Sequence, residues 1–121
     1  MKAIPVADAV AMIPDGSRVM IGGFMGVGTP ERLLDEIVRQ RKSGLKVIAN
    51  DACLPGKGIG KLVDAELVSS LTASHIGLNP KAQQQMMANK MAVELVPQGT
   101  LVERIRAAGS GLGGVLTPTG V

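Results

Sequence analysis

Short apolar runs alternate with helical patterns along this chain, and that alternation constrains its fold more than any other feature. The apolar runs occupy residues 19–21, 45–49, 67–72 and 92–96, and most are bounded by turn residues. Runs of this length between turn signals are typical of buried strands. Parallel strands need a crossover between them, so strands that alternate with helices predict a parallel sheet. We therefore expect an α/β fold with an open, mainly parallel sheet and flanking helices.

The remaining periodic segments predict helices, which cover residues 5–13, 29–43, 80–90 and a stretch that begins at residue 100. The second of these helices has Thr29 as its expected N-cap and Gly44 at its expected C-cap. The last one opens with Thr100 and Glu103 at the spacing of a capping box. Between them, the Gly- and Pro-rich segment 50–60 predicts a loop.

Composition and length exclude several classes of protein. The 121 residues suffice for one core, so we expect a single domain over residues 1–121. Phe24 is the sole aromatic residue, which excludes the stacked aromatic platforms that bind single-stranded nucleic acid. The formal net charge of +3 is spread along the chain, and the short cluster of Arg39, Arg41 and Lys42 is typical of a solvated helix end. We expect no nucleic-acid partner.

The chain has one cysteine, Cys53, and one histidine, His75. A lone cysteine forms no internal disulfide, and one sulfur with one imidazole is too few for a structural zinc site. We expect no metal, an unreactive Cys53, and a structural, hydrogen-bonded His75. Because the sequence shows neither a signal peptide nor an apolar stretch of membrane-spanning length, we expect a cytoplasmic protein without a membrane segment.

A glycine-rich loop at residues 22–28 is the main candidate binding site. It joins a predicted strand to a predicted helix, where free backbone N–H groups and the helix dipole attract anions. The alternative is a tight turn that binds nothing, and the loop matches neither the dinucleotide nor the P-loop fingerprint. A literal G-x-G-x-x-G at residues 109–114 follows a helix rather than a strand, which is the wrong context.

Ordered blocks along the whole chain resemble one family. The first block combines Asp15-Gly16, the apolar run 19–21, Gly22-Gly23-Phe24, Gly28 and Pro30. Further blocks follow at residues 47–51, 73–77, 96–100, 109–114 and 116–120. Together they resemble the A (alpha) subunits of the family I CoA-transferases. Subunits of that family are longer than this chain, so the resemblance implies an incomplete domain.

The resemblance implies transfer of CoA from a short-chain acyl-CoA or 3-oxoacyl-CoA to an acid such as acetate or acetoacetate. In that family a glutamate of the B (beta) subunit attacks the thioester, so this chain is expected to be inactive without a B subunit. The implied assembly is an A2B2 heterotetramer, with CoA as a substrate and no resident cofactor. None of the chain's glutamates lies in the family's catalytic motif, so we interpret all of them as surface or helix-end charges: Glu31, Glu36, Glu66, Glu94 and Glu103.

The resemblance also assigns roles to individual residues. It implies a CoA-binding loop formed by Gly22, Gly23, Phe24, Met25, Gly26, Val27 and Gly28. It implies that Gln98 supports the nucleophile and the oxyanion, and that Asn50 lines the acyl pocket. The alternatives are a turn residue ahead of a helix cap for Gln98 and an Asn-Asp turn for Asn50. The competing function is a noncatalytic module of the same fold that binds CoA or a phosphate ligand, and a third possibility is a remnant without function.

Overall fold

Residues 2–120 are described by a computed structural model, in which they form a four-stranded parallel sheet and five helices. The strands lie in the order β1-β2-β3-β4, and each neighbouring pair is parallel. This confirms the predicted α/β class. In chain order the elements are α1 (Val6–Ala11), β1 (Arg18–Ile21), α2 (Glu31–Arg39), β2 (Leu45–Ala49), α3 (Gly60–Asp64), β3 (Val68–Ala73), α4 (Pro80–Met87), β4 (Ala92–Leu95) and α5 (Gln98–Gly109).

The strand order determines which face of the sheet is covered. Crossovers between parallel strands are right-handed, so three crossovers that advance in one direction place α2, α3 and α4 on the same face. The side chains on that face form the core row Val19, Val47, Leu71 and Val93, which are paired across the four strands. Leu34, Leu62 and other apolar residues of the helices pack against this row and complete a single core.

The opposite face carries the row Met20, Ile48, Thr72 and Glu94, and among the elements of residues 2–120 it is α5 that borders the groove along it. Arg104 of α5 forms an ion pair with Glu94 at 2.9 Å. The remaining gap between α5 and this face is a groove of about 380 Å³. Met20 is 57% exposed, so the prediction that the first strand is buried holds for one of its faces only.

Helix α2 is shorter than the predicted 29–43. Pro30 occupies its N-cap position and no side chain caps it, so the predicted Thr29 cap is wrong. At the other end Arg41 adopts a φ of +53°. Its amide donates to Val38 O, and the next amide donates to Ile37 O, which is the Schellman arrangement. This local reversal ends the helix before the predicted C-cap at Gly44, which instead lies in the turn before β2 with a φ of +66°.

The predicted loop 50–60 is confirmed up to residue 59. It is followed by α3, an unpredicted helix whose five residues are too few to show a periodic pattern. The predicted capping box at Thr100 is absent because α5 already begins at Gln98, with Pro97 at the N-cap position. The Thr100 hydroxyl donates instead to Gly120 O at 2.7 Å.

Candidate functional site

The carboxyl ends of β1 and β2 bring three predicted site residues together. Because Ile21 pairs with Ala49, the residues that follow them, Gly22 and Asn50, are neighbours. Gln98 reaches the same place from the first turn of α5. These residues and Gly23 border a cavity of about 270 Å³ whose other lining residues are apolar: Met20, Ile21, Ile48, Ala49, Leu101, Val102 and Ile105. Ligands of open α/β sheets bind at this edge.

The rest of the predicted CoA-binding loop does not line the cavity but forms a tight turn beside it. Phe24 and Val27 form two backbone hydrogen bonds with each other, at 2.9 and 2.8 Å. Met25 and Gly26 between them have φ values of +50° and +86°. Positive φ at both central residues is the mark of a type I′ turn. The turn therefore presents its side chains outward, with Phe24 and Val27 exposed by 62% and 76%.

This turn leaves fewer free N–H groups than the sequence suggests. The Phe24 and Val27 amides each donate to the carbonyl oxygen of the other residue. The Met25 amide donates to an Asp51 carboxylate oxygen at 2.9 Å. Helix α2 begins at Glu31, beyond Pro30. The predicted cradle of free amides is thus closed in part by the protein's own carboxylate.

Asp51 is the site residue that sequence reasoning missed. It is 6% exposed, and its carboxylate accepts from three N–H donors. Oδ1 accepts from the Cys53 amide at 2.7 Å. Oδ2 accepts from the Met25 amide at 2.9 Å and from Asn50 Nδ2 at 2.8 Å. An acid at the carboxyl end of a buried strand was the available signal, but its partner Met25 lies 26 residues away and no local pattern reveals it.

The glycines of the 22–28 loop are explained by close approach as well as by φ. A Cβ on Gly23 would lie 2.0 Å from Thr29 Oγ1, and Gly23 has a φ of +129°. A Cβ on Gly26 would lie 3.1 Å from the sulfur of Cys53. Cys53 is buried.

A second loop, residues 53–59, lies against the first and is held by two more carboxylates. Glu31 accepts from the Gly58 amide at 2.8 Å, and Asp64 accepts from the Gly56 amide at 2.7 Å. Lys61 forms ion pairs with Glu31 at 2.5 Å and with Asp35 at 2.6 Å, and hydrogen bonds first to Asp35 and then to Glu31 raise its pKa. The carboxylates of Glu31 and Asp64 thus hold this loop by its backbone amides, and each of them also forms an ion pair with a lysine.

None of the five glutamates borders the cavity. Each one forms an ion pair, and the partners are Lys61 for Glu31, Arg39 for Glu36, Lys90 for Glu66, Arg104 for Glu94 and Arg106 for Glu103.

His75 is an exposed residue, and its backbone carbonyl accepts from the Ala52 amide at 3.1 Å. Within residues 2–120, no three His, Cys, Asp or Glu side chains form a metal-binding group. The helices of this part of the chain are too short or too polar to cross a membrane.

Comparison with known proteins gives concordant results at the sequence level. The sequence model of the family described as Coenzyme A transferase matches residues 4–121. The chain is 50% identical over 120 residues to the acetoacetyl-CoA:acetate/butyrate CoA transferase alpha subunit of Clostridium acetobutylicum, covering 99% of this chain and 55% of that one. It is 48% identical over 120 residues to the acetate CoA-transferase subunit alpha of Escherichia coli, covering 99% and 54%. It therefore spans about half the length of these curated relatives.

Among solved structures, a variant of the decarboxylase AibA/AibB superposes with a TM-score of 0.76 and 28% identity, covering 90% of this chain and 44% of that one. A fold of this kind thus occurs in proteins named for different reactions. The fold by itself therefore does not identify the reaction.

Proposed function

Because the chain belongs to the coenzyme A transferase family, we propose that it is part of an alpha subunit that transfers CoA between a short-chain acyl-CoA and a carboxylate. The preferred donors are short-chain acyl-CoA or 3-oxoacyl-CoA thioesters, and the preferred acceptors are acids such as acetate or acetoacetate. The observation that carries this proposal is the match of residues 4–121 to the family together with about 50% identity to named alpha subunits.

The reaction needs a carboxylate nucleophile, which we assign to a glutamate of a beta subunit. Its oxygen attacks the thioester carbonyl, the C–S bond breaks, and CoA leaves as a thiolate. The thiolate then attacks the glutamyl carbonyl of the mixed anhydride and releases the donor acid as a carboxylate. The acceptor carboxylate repeats these two steps in reverse, leaves as its acyl-CoA and restores the glutamate. Covalent catalysis of this kind divides one difficult transfer into easier ones.

The geometry of this chain favours a role in binding and orienting the substrate rather than a role as the nucleophile. All five glutamates are held in ion pairs away from the cavity, so the described residues offer no free carboxylate of that type at the site. The cavity instead presents the amides of Asn50 and Gln98 on apolar walls. A beta subunit that placed a glutamate at this cavity would complete the site, and we propose an A2B2 assembly.

Gln98 and Asn50 have separate roles in this proposal. An amide N–H of Gln98 donates to the oxyanion of the tetrahedral intermediate, which it stabilises without placing a full positive charge beside the nucleophile. Asn50 borders the part of the cavity that would hold the acyl group, and its own side chain is oriented by the hydrogen bond to Asp51. Gly22 and the 23–28 turn provide the surface along which CoA would lie.

The test is CoA exchange between acetoacetyl-CoA and acetate, measured with this chain alone, with a cognate beta subunit alone, and with both. We expect exchange in the mixture only. A mixture that binds CoA but exchanges nothing would favour the competing function, a noncatalytic module that binds CoA or a phosphate ligand.

The same mixture tests the role of Gln98. In Gln98→Ala we expect kcat to fall by about 100-fold or more, the usual effect of losing an oxyanion donor. Gln84→Ala is the matched control, because Gln84 is an exposed glutamine on α4 away from the cavity. The thermal midpoints of both variants should equal that of the wild type. Unchanged turnover in Gln98→Ala would remove this residue from the site.

A further inference from the structure

Asp51 links the two parts of the candidate site, the exposed turn 24–27 and the side chain of Asn50. One of its carboxylate oxygens accepts from both, at 2.9 Å from the Met25 amide and 2.8 Å from Asn50 Nδ2. The other oxygen accepts from the Cys53 amide at 2.7 Å. The carboxylate is therefore hydrogen-bonded to the turn, to the cavity-lining amide and to the following loop.

The turn needs such a tether. Its only regular pairing is the bridge between Phe24 and Val27, and both side chains are largely exposed. A two-residue hairpin with little buried apolar surface has marginal stability in water. A charged acceptor that is 6% exposed strengthens the hydrogen bond from the Met25 amide, because little water competes for it.

We propose that Asp51 is a positioning residue: it holds the 24–27 turn and Asn50 in the relative geometry that a CoA thioester requires. This inference rests on the proposed function for its ligand, and on the three hydrogen bonds alone for its structural part. Asp51 does not contact the cavity itself and acts through Met25 and Asn50.

The structural part is tested with Asp51→Ala, which removes all three hydrogen bonds. The readout is amide hydrogen exchange at Phe24 and Val27, measured by NMR. Each of these amides donates to the carbonyl oxygen of the other residue and not to Asp51, so they lose protection only if the turn changes shape. We expect their exchange to become about tenfold faster or more, as the loss of one hydrogen bond to a charged group implies.

Asp15→Ala is the matched control. Asp15 also accepts a backbone amide between the segments that flank β1 and β2, from Ser43 at 2.7 Å, but it does so at the opposite edge of the sheet. We expect Asp15→Ala to leave the amides of Phe24 and Val27 as well protected from hydrogen exchange as in the wild type. If Asp51→Ala does not fold, Asp51→Asn takes its place. An asparagine side chain has one acceptor oxygen where the carboxylate has two, so it loses at least one of the three hydrogen bonds.

The functional part is tested in the mixture with a beta subunit. In Asp51→Ala we expect the KM for acetoacetyl-CoA to rise about tenfold or more while kcat changes less, the signature of lost substrate binding. Unchanged exchange at Phe24 and Val27 overturns the proposal, and so does faster exchange with an unchanged KM. A wild-type mixture without any transfer contradicts the proposed function instead, and the hydrogen-exchange result still decides the tether.

Discussion

At the scale of single residues, neighbouring glycines of the candidate loop have different structural requirements. Gly23 has a φ of +129°, and a Cβ there would lie 2.0 Å from Thr29 Oγ1 and 3.2 Å from the Thr29 amide nitrogen. Gly22 has an ordinary φ, and a Cβ there would meet nothing within 4 Å. Of these two positions, only residue 23 therefore requires glycine for reasons of backbone geometry and space.

These two positions form a matched pair of substitutions. We expect Gly23→Ala to lower the free energy of unfolding by about 1–3 kcal/mol, because it forces strained backbone against Thr29. Gly22→Ala should remain within about 0.5 kcal/mol of the wild type. Urea denaturation followed by circular dichroism measures both. Equal stability of the two variants would show that the loop adapts to a side chain at residue 23.

At the scale of elements, α2 is connected to α1 through a network of partly buried side chains. Glu36 accepts from Arg39 Nε at 2.7 Å and from Gln40 Nε2 at 2.6 Å. The same Gln40 amide donates to Ala7 O of α1 at 2.9 Å. Hydrogen bonds from Arg39 and then from Gln40 lower the pKa of Glu36 from 4.5 to about 2.

This network predicts a pH dependence of stability. Because the folded protein holds the pKa of Glu36 below its unfolded value, the contribution of Glu36 is complete above pH 4.5 and is lost as the pH falls through about 2. The effect is small, since the carboxylate is solvent-screened. We expect the urea midpoint of the wild type to exceed that of Glu36→Gln above pH 4.5, and the two to converge toward pH 2. A gap that stays constant over this range would contradict the prediction.

At the scale of the whole molecule, the sheet has two unequal faces. Its strand order places three crossover helices on one face, where Leu71 is fully buried. The next residue of the same strand, Thr72, points to the opposite face, which α5 approaches, and its hydroxyl lies 3.4 Å from a Glu94 oxygen. Parallel sheets are ordinarily covered on both faces, so this second face is the unusual one.

The inequality predicts opposite results for two adjacent substitutions. Leu71→Ala should destabilise the chain by about 2–5 kcal/mol, because it leaves a cavity in the core between the sheet and its helices. Thr72→Ala should change the stability by about 0.5 kcal/mol or less. Thermal and urea unfolding of the two variants checks this. A comparable loss in both would mean that the second face is covered in solution.

Local chemistry is what the sequence by itself determined. The apolar run at β2 was predicted with its observed bounds, Leu45–Ala49, because turn residues stop it on both sides. The alternation of runs and helices determined the parallel sheet, since parallel strands must be joined by crossovers. The ordered blocks determined the family. Each of these properties is encoded over a few residues or by their order along the chain.

Tertiary structure decided what depends on contacts between distant segments. The packing of α5 decides which face of the sheet this helix approaches. Its apolar pattern would be the same if it packed on the other face, so the pattern does not predict the face. Asn50 and Gln98 border one cavity because β2 and α5 reach the same edge of the sheet. The tether from Asp51 to Met25 joins residues 26 apart through one backbone amide, and backbone donors carry no sequence signature. A carboxylate finds such a donor only after the strands between them have paired.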